Sequence, residues 1–416
     1  MPADGRKSAS RTSAAAWQTW LTIGATGFGG PSGQVAILHR EVVERKHWLD
    51  EEEFLAALRV CMLLPGPEAQ QLATYAGWRL GGVAGGLTAG TLFVLPGAVL
   101  VTALAWLHAA GRDAPLVAAA FEGVRPAVVA LVALAAWRIA RRSITSPVVC
   151  ALTVAAGGLL LWGVPFPAVV AVCFAAGWLT PSDGIQAKAT EPAAPHGSIG
   201  RHGVVVAAFG LAVWSAGYWL VWHTGAAGGR GAAIATLFTE TTLLSLGGAY
   251  AVVPWALDES VSRGWLETSE RFAALAMGEA TPGPLILVVT FIGFLAGWKS
   301  APASAATAGL EGAVTATVFA FIPSFTMILA LAPAVRSIRP RSRIGRALTA
   351  VGATVVATIA ILAARLAGDA FVGPAGVDLV TVGITALAAT ALAGASVPTP
   401  LVVLAAAMIG ILRTVA

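Results

Sequence analysis

Charged residues are scarce in this sequence: Asp, Glu, Lys and Arg make up 11% of the 416 residues. Soluble proteins carry roughly 25% charged residues. Apolar and aromatic residues together with cysteine make up 57% of the chain, and 47 glycines come in addition. A soluble protein of this length could not hide so much apolar surface from water. The composition therefore excludes an ordinary soluble domain and indicates an integral membrane protein.

Cysteines and metal-binding motifs are also rare. The three cysteines, Cys61, Cys150 and Cys173, lie in apolar segments, and their odd number argues against a disulfide framework. The sequence has no HExxH motif, no Walker-type GxxxxGK[ST] motif and no cluster with metal-ligand spacing. We therefore expect no metal, no cofactor and no catalytic residues. The net charge of +5 is explained by basic cytoplasmic loops, so we expect the lipid bilayer and no nucleic acid as a partner.

Long apolar runs are abundant. Residues 203–222 form about one bilayer thickness of helix without a charge. Residues 285–298 form a further apolar run, and residues 377–412 hold one acid, Asp378, with a break at Pro398 and Pro400. We count about ten to thirteen such segments. The alternating pattern of a membrane barrel is absent, and the polar residues 1–13 do not resemble a cleavable signal peptide. The prediction is an all-α, multi-pass membrane protein.

The chain contains an internal duplication. Residues 48–67 read WLDEEEFLAALRVCMLLPGP, and residues 265–284 read WLETSERFAALAMGEATPGP. The offset is 265 − 48 = 217 without a gap. We therefore predict two homologous halves, residues 1–179 and 203–416, joined by a polar linker at 180–202 rich in Pro, Ser and Ala.

Basic clusters indicate that the halves have opposite orientations. Residues 115–137 are followed by a basic cluster (Arg138, Arg141 and Arg142), whereas their counterpart, residues 347–364, is preceded by one (Arg336, Arg339, Arg341, Arg343 and Arg346). If both clusters are cytoplasmic, the same helix runs inward in one half and outward in the other. Such inverted repeats are typical of transporters, with the substrate site at the repeat interface. An error in the alignment of either cluster would remove this argument.

The two Pro-Gly-Pro triplets predict broken helices. Proline disfavours helix in the residue before it, so residues 65–67 must end the helix that begins at Glu51. A second half-helix then opens at Pro67, and residues 282–284 repeat the pattern before Leu285. Helix N-termini bind anions, so both triplets are predicted to line an anion site. The alternative is a pair of structural kinks.

Other candidate ligands surround these triplets. Gly-Gly pairs in both halves allow close approach of backbone to a ligand or, equally, of helix to helix. Two acidic residues beside the triplets are candidates for proton-dependent competition with an anion, and one arginine is a candidate oxyanion ligand. Glu122 and Arg125 are expected to pair with each other. The predicted substrate-binding residues are Gly29, Gly30, Pro65, Gly66, Pro67, Glu68, Gln71, Arg79, Gly247, Gly248, Glu279, Pro282, Gly283 and Pro284.

These motifs resemble the chromate ion transporter family, of the long two-domain type. The resemblance rests on FGGPSG at 28–33, on LLPGPEAQQLATYAGWRLGG at 63–82, on FVLPGAVL at 93–100 and on GEATPGPLILVVTFIGFLAG at 278–297. In the second half Ala249-Tyr250 stands where the first half has Pro-Ser, which makes a symmetric use of the two Gly motifs doubtful. The resemblance implies an inner-membrane carrier that exports chromate from the bacterial cytoplasm and confers chromate resistance.

The residues alone leave several alternatives open. Chromate and sulfate are tetrahedral dianions of similar size, and no residue distinguishes a chromate carrier from a sulfate carrier. Coupling to protons or to membrane potential, and assembly as a homodimer, are equally undetermined. A channel is a further reading, although broken helices in a repeat favour a carrier. An intramembrane enzyme acting on a phosphorylated lipid would need a nucleophile or metal cluster, and none is found in the sequence.

Overall fold

The computed structural model describes residues 5–180, 200–246, 248–337, 342–373, 376–394 and 397–415. These residues are almost entirely helical, and their strands are a two-residue antiparallel pair, β1 (Val372–Gly373) and β2 (Gly376–Val377). The helices are α1 (Gly5–Thr26), α2 (Gly30–His39), α3 (Glu51–Cys61), α4 (Glu68–Ala110), α5 (Pro115–Ser143), α6 (Pro147–Leu161), α7 (Phe166–Leu179), α8 (Gly200–His223), α9 (Gly231–Leu244), α10 (Val253–Ser262), α11 (Glu270–Ala280), α12 (Val288–Ser300), α13 (Ala305–Leu331), α14 (Ser342–Phe371), α15 (Leu379–Ala393) and α16 (Thr399–Val415).

Several helices can cross a membrane. Among the described residues, five helical segments are long and apolar enough, and six shorter apolar helices accompany them. Large apolar side chains such as Trp162, Leu179 and Leu379 are exposed on the outer surface, as lipid contact requires. The prediction of an all-α multi-pass membrane protein is confirmed. The five segments are Glu68–Ala110, Pro115–Ser143, Gly200–His223, Pro302–Val335 and Gly345–Phe371.

Both Pro-Gly-Pro triplets break helices as predicted. The side chain of Asp50 caps α3 by accepting a hydrogen bond from the Glu53 amide at 2.7 Å, and α3 ends at Cys61. After the first triplet α4 begins at Glu68 with Pro67 as its N-cap. In the second half α11 ends at Ala280, and a 3-10 turn (Leu285–Leu287) leads into α12. The same local chemistry thus gives the same break in each half.

Helix α4 is a hairpin and not one continuous span. Gly81 and Gly82 leave the helical conformation, with φ of −145° and 62°. The two arms lie side by side, because Gly77 packs so closely on Gly85 and Ala89 that a Cβ atom would overlap both. Helices α12 and α13 form the corresponding hairpin of the second half. Each half therefore carries a folded-back pair of helices directly after its triplet.

The two halves are intertwined. Helix α5 of the first half packs against α15 and α16 of the second half, and α14 of the second half packs against α6 and α7 of the first. Helices α5 and α14 also pack against each other. Helix α8 has no counterpart in the first half. This exchange places the ends of α5 and α14 beside connections that belong to the other half.

Two further predictions concern details of this fold. The apolar run at 377–412 breaks between α15 and α16 as expected, and Arg125 pairs with Glu122. Arg339, Arg341, Gly247 and most of the linker, residues 181–199, lie outside the described residues.

Candidate functional site

A cleft of ≈ 940 Å³ lies where the two halves meet. Its walls are the N-terminus of α2, the C-terminal part of α5, residues 248–250 and the connection between α15 and α16. Two pairs of residues that are equivalent in the duplication line the cleft. Gly30 is equivalent to Gly248, at an offset of 218, and Met62 is equivalent to Glu279, at an offset of 217. The cleft therefore sits at the interface of the repeats, where inverted-repeat transporters place their substrate sites.

Left-handed glycines shape the base of this cleft. Gly29 and Gly30 have φ of 92° and 66°, and Gly248 has φ of 101°, a region that residues with side chains rarely adopt. A Cβ atom at Gly30 would lie 3.9 Å from the Tyr250 hydroxyl, and one at Gly248 would lie 3.7 Å from Glu68 Oε2. Each Gly motif thus faces a polar side chain of the other half.

The charged side chains of the cleft stand close together. The Tyr250 hydroxyl donates a hydrogen bond to Glu279 Oε1 at 2.7 Å, and Glu68 lines the same wall. Arg138 and Arg142 project from α5, and Arg138 Nη2 donates to the Leu392 carbonyl at 3.3 Å. Arg138 also interacts electrostatically with Glu279 and Tyr250.

Neither cleft arginine is paired with a carboxylate at salt-bridge distance in the part of the chain that the structure describes. Within the described ranges, no carboxylate lies within 4.0 Å of Arg138 or Arg142. Guanidinium groups without a carboxylate partner are suited to bind a planar or tetrahedral oxyanion bidentately. The described residues contain no cluster of His, Cys, Asp and Glu that could hold a metal ion.

The Pro-Gly-Pro triplets lie behind the cleft, and each is held by the opposite half. The Gly66 amide donates to Ser245 Oγ at 2.8 Å, and the Gly283 amide donates to the Gly27 carbonyl at 3.1 Å. Gly27 and Ser245 are themselves related by the repeat, because 245 − 27 = 218. Among the triplet residues none lines the cleft, although Glu68, which follows the first triplet directly, does.

The surroundings of the two triplets differ in polarity. Near Gly66, buried Ser324 donates to Gln70 Oε1 at 2.6 Å, and Gln71 Nε2 donates to the Pro65 carbonyl at 2.8 Å. Gln71 Oε1 is buried and finds no partner among the described atoms. At the positions 217 residues later stand apolar residues, Leu287, Val288 and Phe291, where the first half has Gln70, Gln71 and Thr74. Beside the second triplet the buried polar side chain is Gln34 of α2, whose Nε2 donates to the Gly283 carbonyl at 2.6 Å.

The structure separates the predicted site residues into three groups. Gly29, Gly30, Glu68, Gly248 and Glu279 meet in the cleft. Gln71 and the two triplets lie behind it. Arg79 lies elsewhere: its guanidinium pairs with Glu53, which also accepts a hydrogen bond from the Tyr75 hydroxyl at 2.7 Å.

Sequence reasoning missed Arg138, Arg142 and Tyr250 as cleft residues. The sequence pattern marks the arginines only as indicators of topology, and Tyr250 only as a departure from the first Gly motif. The signal that could have found Arg138 is its repetition: position 365, at the offset 352 − 125 = 227 that relates α5 to α14, is also arginine.

A duplicated, helical membrane protein with a charged cleft between its halves has the architecture of a secondary transporter. The particular family follows from comparison with known sequences: the family described as Chromate transporter matches residues 14–178 and 232–411. The chain belongs to this family.

Three relatives are named for chromate transport. The chromate transport protein of Pseudomonas aeruginosa is 30% identical over 350 residues, which cover 82% of this chain and 77% of the relative. The probable chromate transport protein of Synechococcus elongatus is 28% identical over 405 residues, covering 95% and 94%. The chromate transport protein of Cupriavidus metallidurans is 28% identical over 324 residues, covering 76% and 72%. No solved structure matches this chain significantly.

Proposed function

We propose that this protein carries chromate out of the cytoplasm across the inner membrane and thereby confers chromate resistance. Family membership and the names of the relatives support the substrate. The observation that carries the proposal is the pair of arginines, Arg138 and Arg142, which line the cleft with no carboxylate of the described residues within 4.0 Å. A cleft with two such guanidinium groups attracts a dianion.

The basic cluster at the end of α5 supports the direction. Arg138, Arg141 and Arg142 occupy the last turns of α5, and basic residues beside membrane helices face the cytoplasm. The cleft then opens toward the cytoplasm, where it loads substrate for export. Arg138 binds the oxyanion while still holding the Leu392 carbonyl, because a guanidinium has five donors. The N-terminus of α2, at Gly30, has no side-chain cap, and helix N-termini of this kind supply backbone N–H donors to anions.

The two carboxyl groups support proton coupling. Glu68 and Glu279 share the cleft with the arginines. Ionised carboxylates repel a dianion, whereas protonated ones do not, so anion binding and proton binding favour each other. Sulfate has the charge and shape of chromate and should compete for the same arginines.

The test is flux of labelled chromate into inverted membrane vesicles containing the protein. The wild-type protein should take up chromate, and excess sulfate should inhibit uptake. Arg138→Gln should raise the half-saturation concentration about tenfold or more, because hydrogen bonds to charged groups contribute ~1.5–3 kcal/mol. Arg263→Gln is the matched control, because Arg263 pairs with Glu259 on α10 and does not line the cleft. Absence of chromate flux in wild-type vesicles would overturn the proposed function.

A further inference from the structure

A second cavity, of ≈ 640 Å³, lies between α1 and the segment that follows α2. Gln34 Nε2 donates to the Gly27 carbonyl at 3.3 Å, and the rings of Trp48 and Trp20 lie 5.2 Å apart. Residues 34–48 therefore run antiparallel to α1, and the cavity occupies the groove between the two stretches. It shares no lining residue with the cleft, so it is a separate site.

One residue is inserted into the first half beside this cavity. The offset between equivalent residues is 218 at Gly30 but 217 at Trp48. The hydrogen bonds locate the change, because the Trp48 amide donates to the Val42 carbonyl as the Trp265 amide donates to the Ser260 carbonyl. Val42 and Ser260 still differ by 218, so the extra residue lies between Val42 and Trp48.

A π-helical turn at residues 40–45 accommodates the insertion. The Lys46 amide donates to the Glu41 carbonyl five residues earlier, at 3.0 Å. At the end of α10, the equivalent helix, the Arg263 amide donates to the Glu259 carbonyl four residues earlier, at 3.1 Å. Isolated π-helical turns are rare and occur frequently at functional sites. The insertion is therefore a candidate for a role that the second half lacks.

An ion pair beside the cavity is common to both halves. Arg45 Nη1 donates to Glu41 Oε1 at 2.7 Å. Arg263 and Glu259, each 218 residues later, form the same pair at 2.8 Å. A pair that both halves keep is explained by the fold that they share.

Two cations are peculiar to the first half. The position equivalent to Arg40 holds Asp258, at the offset of 218. His47 and Gly264, at the offset of 217, both have left-handed backbones, with φ of 51° and 67°, so Lys46 before His47 has no counterpart. Three cations and one carboxylate thus line the cavity, a net charge of +2, whereas the equivalent segment holds two carboxylates and one cation.

The cations of the cavity have donors to spare. Within the described residues, no carboxylate lies within 4.0 Å of Lys46. Glu41 Oε1 is shared between Arg45 and Arg40, whose Nε lies 3.7 Å away. On an α-helix, residues five apart would lie about 140° apart, so the π-helical turn brings the two guanidinium groups together. Each has five donors, and one carboxylate cannot satisfy both sets.

Helix α1 supplies polar side chains to the opposite wall. Gln18, Thr22 and Thr26 follow each other at intervals of four residues, so they share one helix face, and all three are exposed. The other side of α1 packs against the spanning helix α4, where a Cβ atom at Gly24 would lie 2.5 Å from the Leu92 carbonyl oxygen. The cavity is therefore at the outer surface of the helix bundle, where lipid can reach it.

The cavity lies on the same side of the membrane as Arg138 and Arg142. The π-helical turn leads into α3, and Glu53 of α3 pairs with Arg79, just before the hairpin turn of α4 at Gly81. The second arm of α4 leaves this side and α5 returns to it, ending in the basic cluster. With the orientation proposed above, this side is cytoplasmic.

We propose that this cavity binds the phosphodiester headgroup of an anionic phospholipid. Arg40, Arg45 and Lys46 hold the phosphate oxygens, and the polar face of α1 contacts the glycerol region. Basic pockets beside spanning helices on the cytoplasmic side are suited to such headgroups. Trp17 and Phe28, which border the polar face along α1, are large, apolar and exposed, and they favour a ligand with acyl chains over a free anion.

The first experiment measures binding of two lipids with the same short acyl chains to the purified protein in detergent. Phosphatidylglycerol should raise the unfolding temperature saturably, and zwitterionic phosphatidylcholine should not. Lys46→Gln should weaken phosphatidylglycerol binding about tenfold, and Lys46→Arg should keep it. Arg263→Gln is the matched control, because Arg263 is the counterpart of Arg45 outside the cavity. Equal affinity for the two lipids, or equal weakening by Lys46→Gln and Arg263→Gln, would overturn the assignment.

Deletion of Lys46 tests the inserted residue itself. The shortened segment has the length of its counterpart and should form the α-helical turn found at the end of α10. Without lipid the deletion protein should unfold at the wild-type temperature, and phosphatidylglycerol should no longer raise it. A normal rise would contradict a role for the insertion. If the deletion itself lowers stability, Lys46→Gln, which keeps the length, decides the role of the charge.

Two other occupants are tested separately. Inorganic phosphate or chromate should not reproduce the Lys46-dependent rise; if either does, the site holds a free anion and no lipid. In a Cys150→Ser background, which removes the exposed native thiol, Thr22→Cys should not form a disulfide-linked dimer in membranes. Such a dimer would show that a second copy of the chain covers the cavity. None of these measurements requires chromate flux, so their outcome is independent of the proposed function.

Discussion

The hydrogen bond between Tyr250 and Glu279 leads to a specific prediction about the pH dependence of transport. Tyr250 is replaced by phenylalanine, which keeps the ring and removes the hydroxyl that donates to Glu279 Oε1 at 2.7 Å. A donor bonded to a carboxyl group stabilises its ionised form more than its protonated form. The Tyr250→Phe protein should therefore keep Glu279 protonated, and the cleft receptive to a dianion, up to a higher pH.

The size of this shift follows from the hydrogen bond that is lost. A hydrogen bond to a charged group contributes about 1.5–3 kcal/mol, and one pH unit corresponds to about 1.4 kcal/mol. The alkaline limb of the transport profile should thus move upward by about 1 to 2 pH units. Glu279→Gln, which cannot ionise, should remove the contribution of this group to that limb altogether.

The assay is initial chromate uptake into inverted vesicles over a range of external pH. Tyr218→Phe is the control, because Tyr218 stacks between Trp214 and Trp222 on α8 and makes no hydrogen bond to a carboxylate of the described residues. If the alkaline limb is the same in wild type, Tyr250→Phe and Glu279→Gln, protonation of Glu279 does not govern anion binding. The part of the proton-coupling argument that rests on Glu279 would then be refuted.

Three further predictions concern orientation, packing and Arg79. A cysteine at Arg142 should be labelled only from the cytoplasmic face, and labelling from outside would contradict the inverted orientation. Ser245→Ala should lower the free energy of unfolding by about 1–3 kcal/mol in a detergent titration, because the Gly66 amide loses its buried acceptor; an unchanged transition would contradict this. Arg79→Gln should reduce stability through loss of its partner for buried Glu53 and leave chromate half-saturation unchanged, and a raised half-saturation would restore Arg79 as a ligand.

Local chemistry explains how much of the fold could be predicted. Proline acts on its immediate neighbours, so the helix breaks at Pro65 and Pro282 followed from sequence alone. The duplication followed from an ungapped match that keeps Trp48 and Trp265 in register. These features depend on short stretches of chain, which is why the sequence contains them.

The composition of the cleft depends on packing between distant elements. Arg138 reaches the cleft because α5 crosses to the second half and lies against α15 and α16. Tyr250 reaches Glu279 across 29 residues through a loop that starts at left-handed Gly248. Neither contact leaves a periodicity or a spacing in the sequence, so Tyr250 could not be identified from pattern alone, and Arg138 is marked only by the arginine at the equivalent position 365.

The triplets illustrate the limit of symmetry as an argument. Both Gly66 and Gly283 have positive φ, 116° and 100°, and a Cβ atom at Gly66 would lie 2.8 Å from Ser324 Oγ. Substitution of either glycine disturbs the fold whether or not substrate passes nearby, so loss of transport would not separate a binding role from a packing role. The difference in polarity does separate the triplets from each other. Three buried polar side chains, Gln70, Gln71 and Ser324, lie beside the first triplet, whereas one, Gln34, donates to the Gly283 carbonyl of the second at 2.6 Å, so the two triplets offer a passing anion unequal numbers of polar groups.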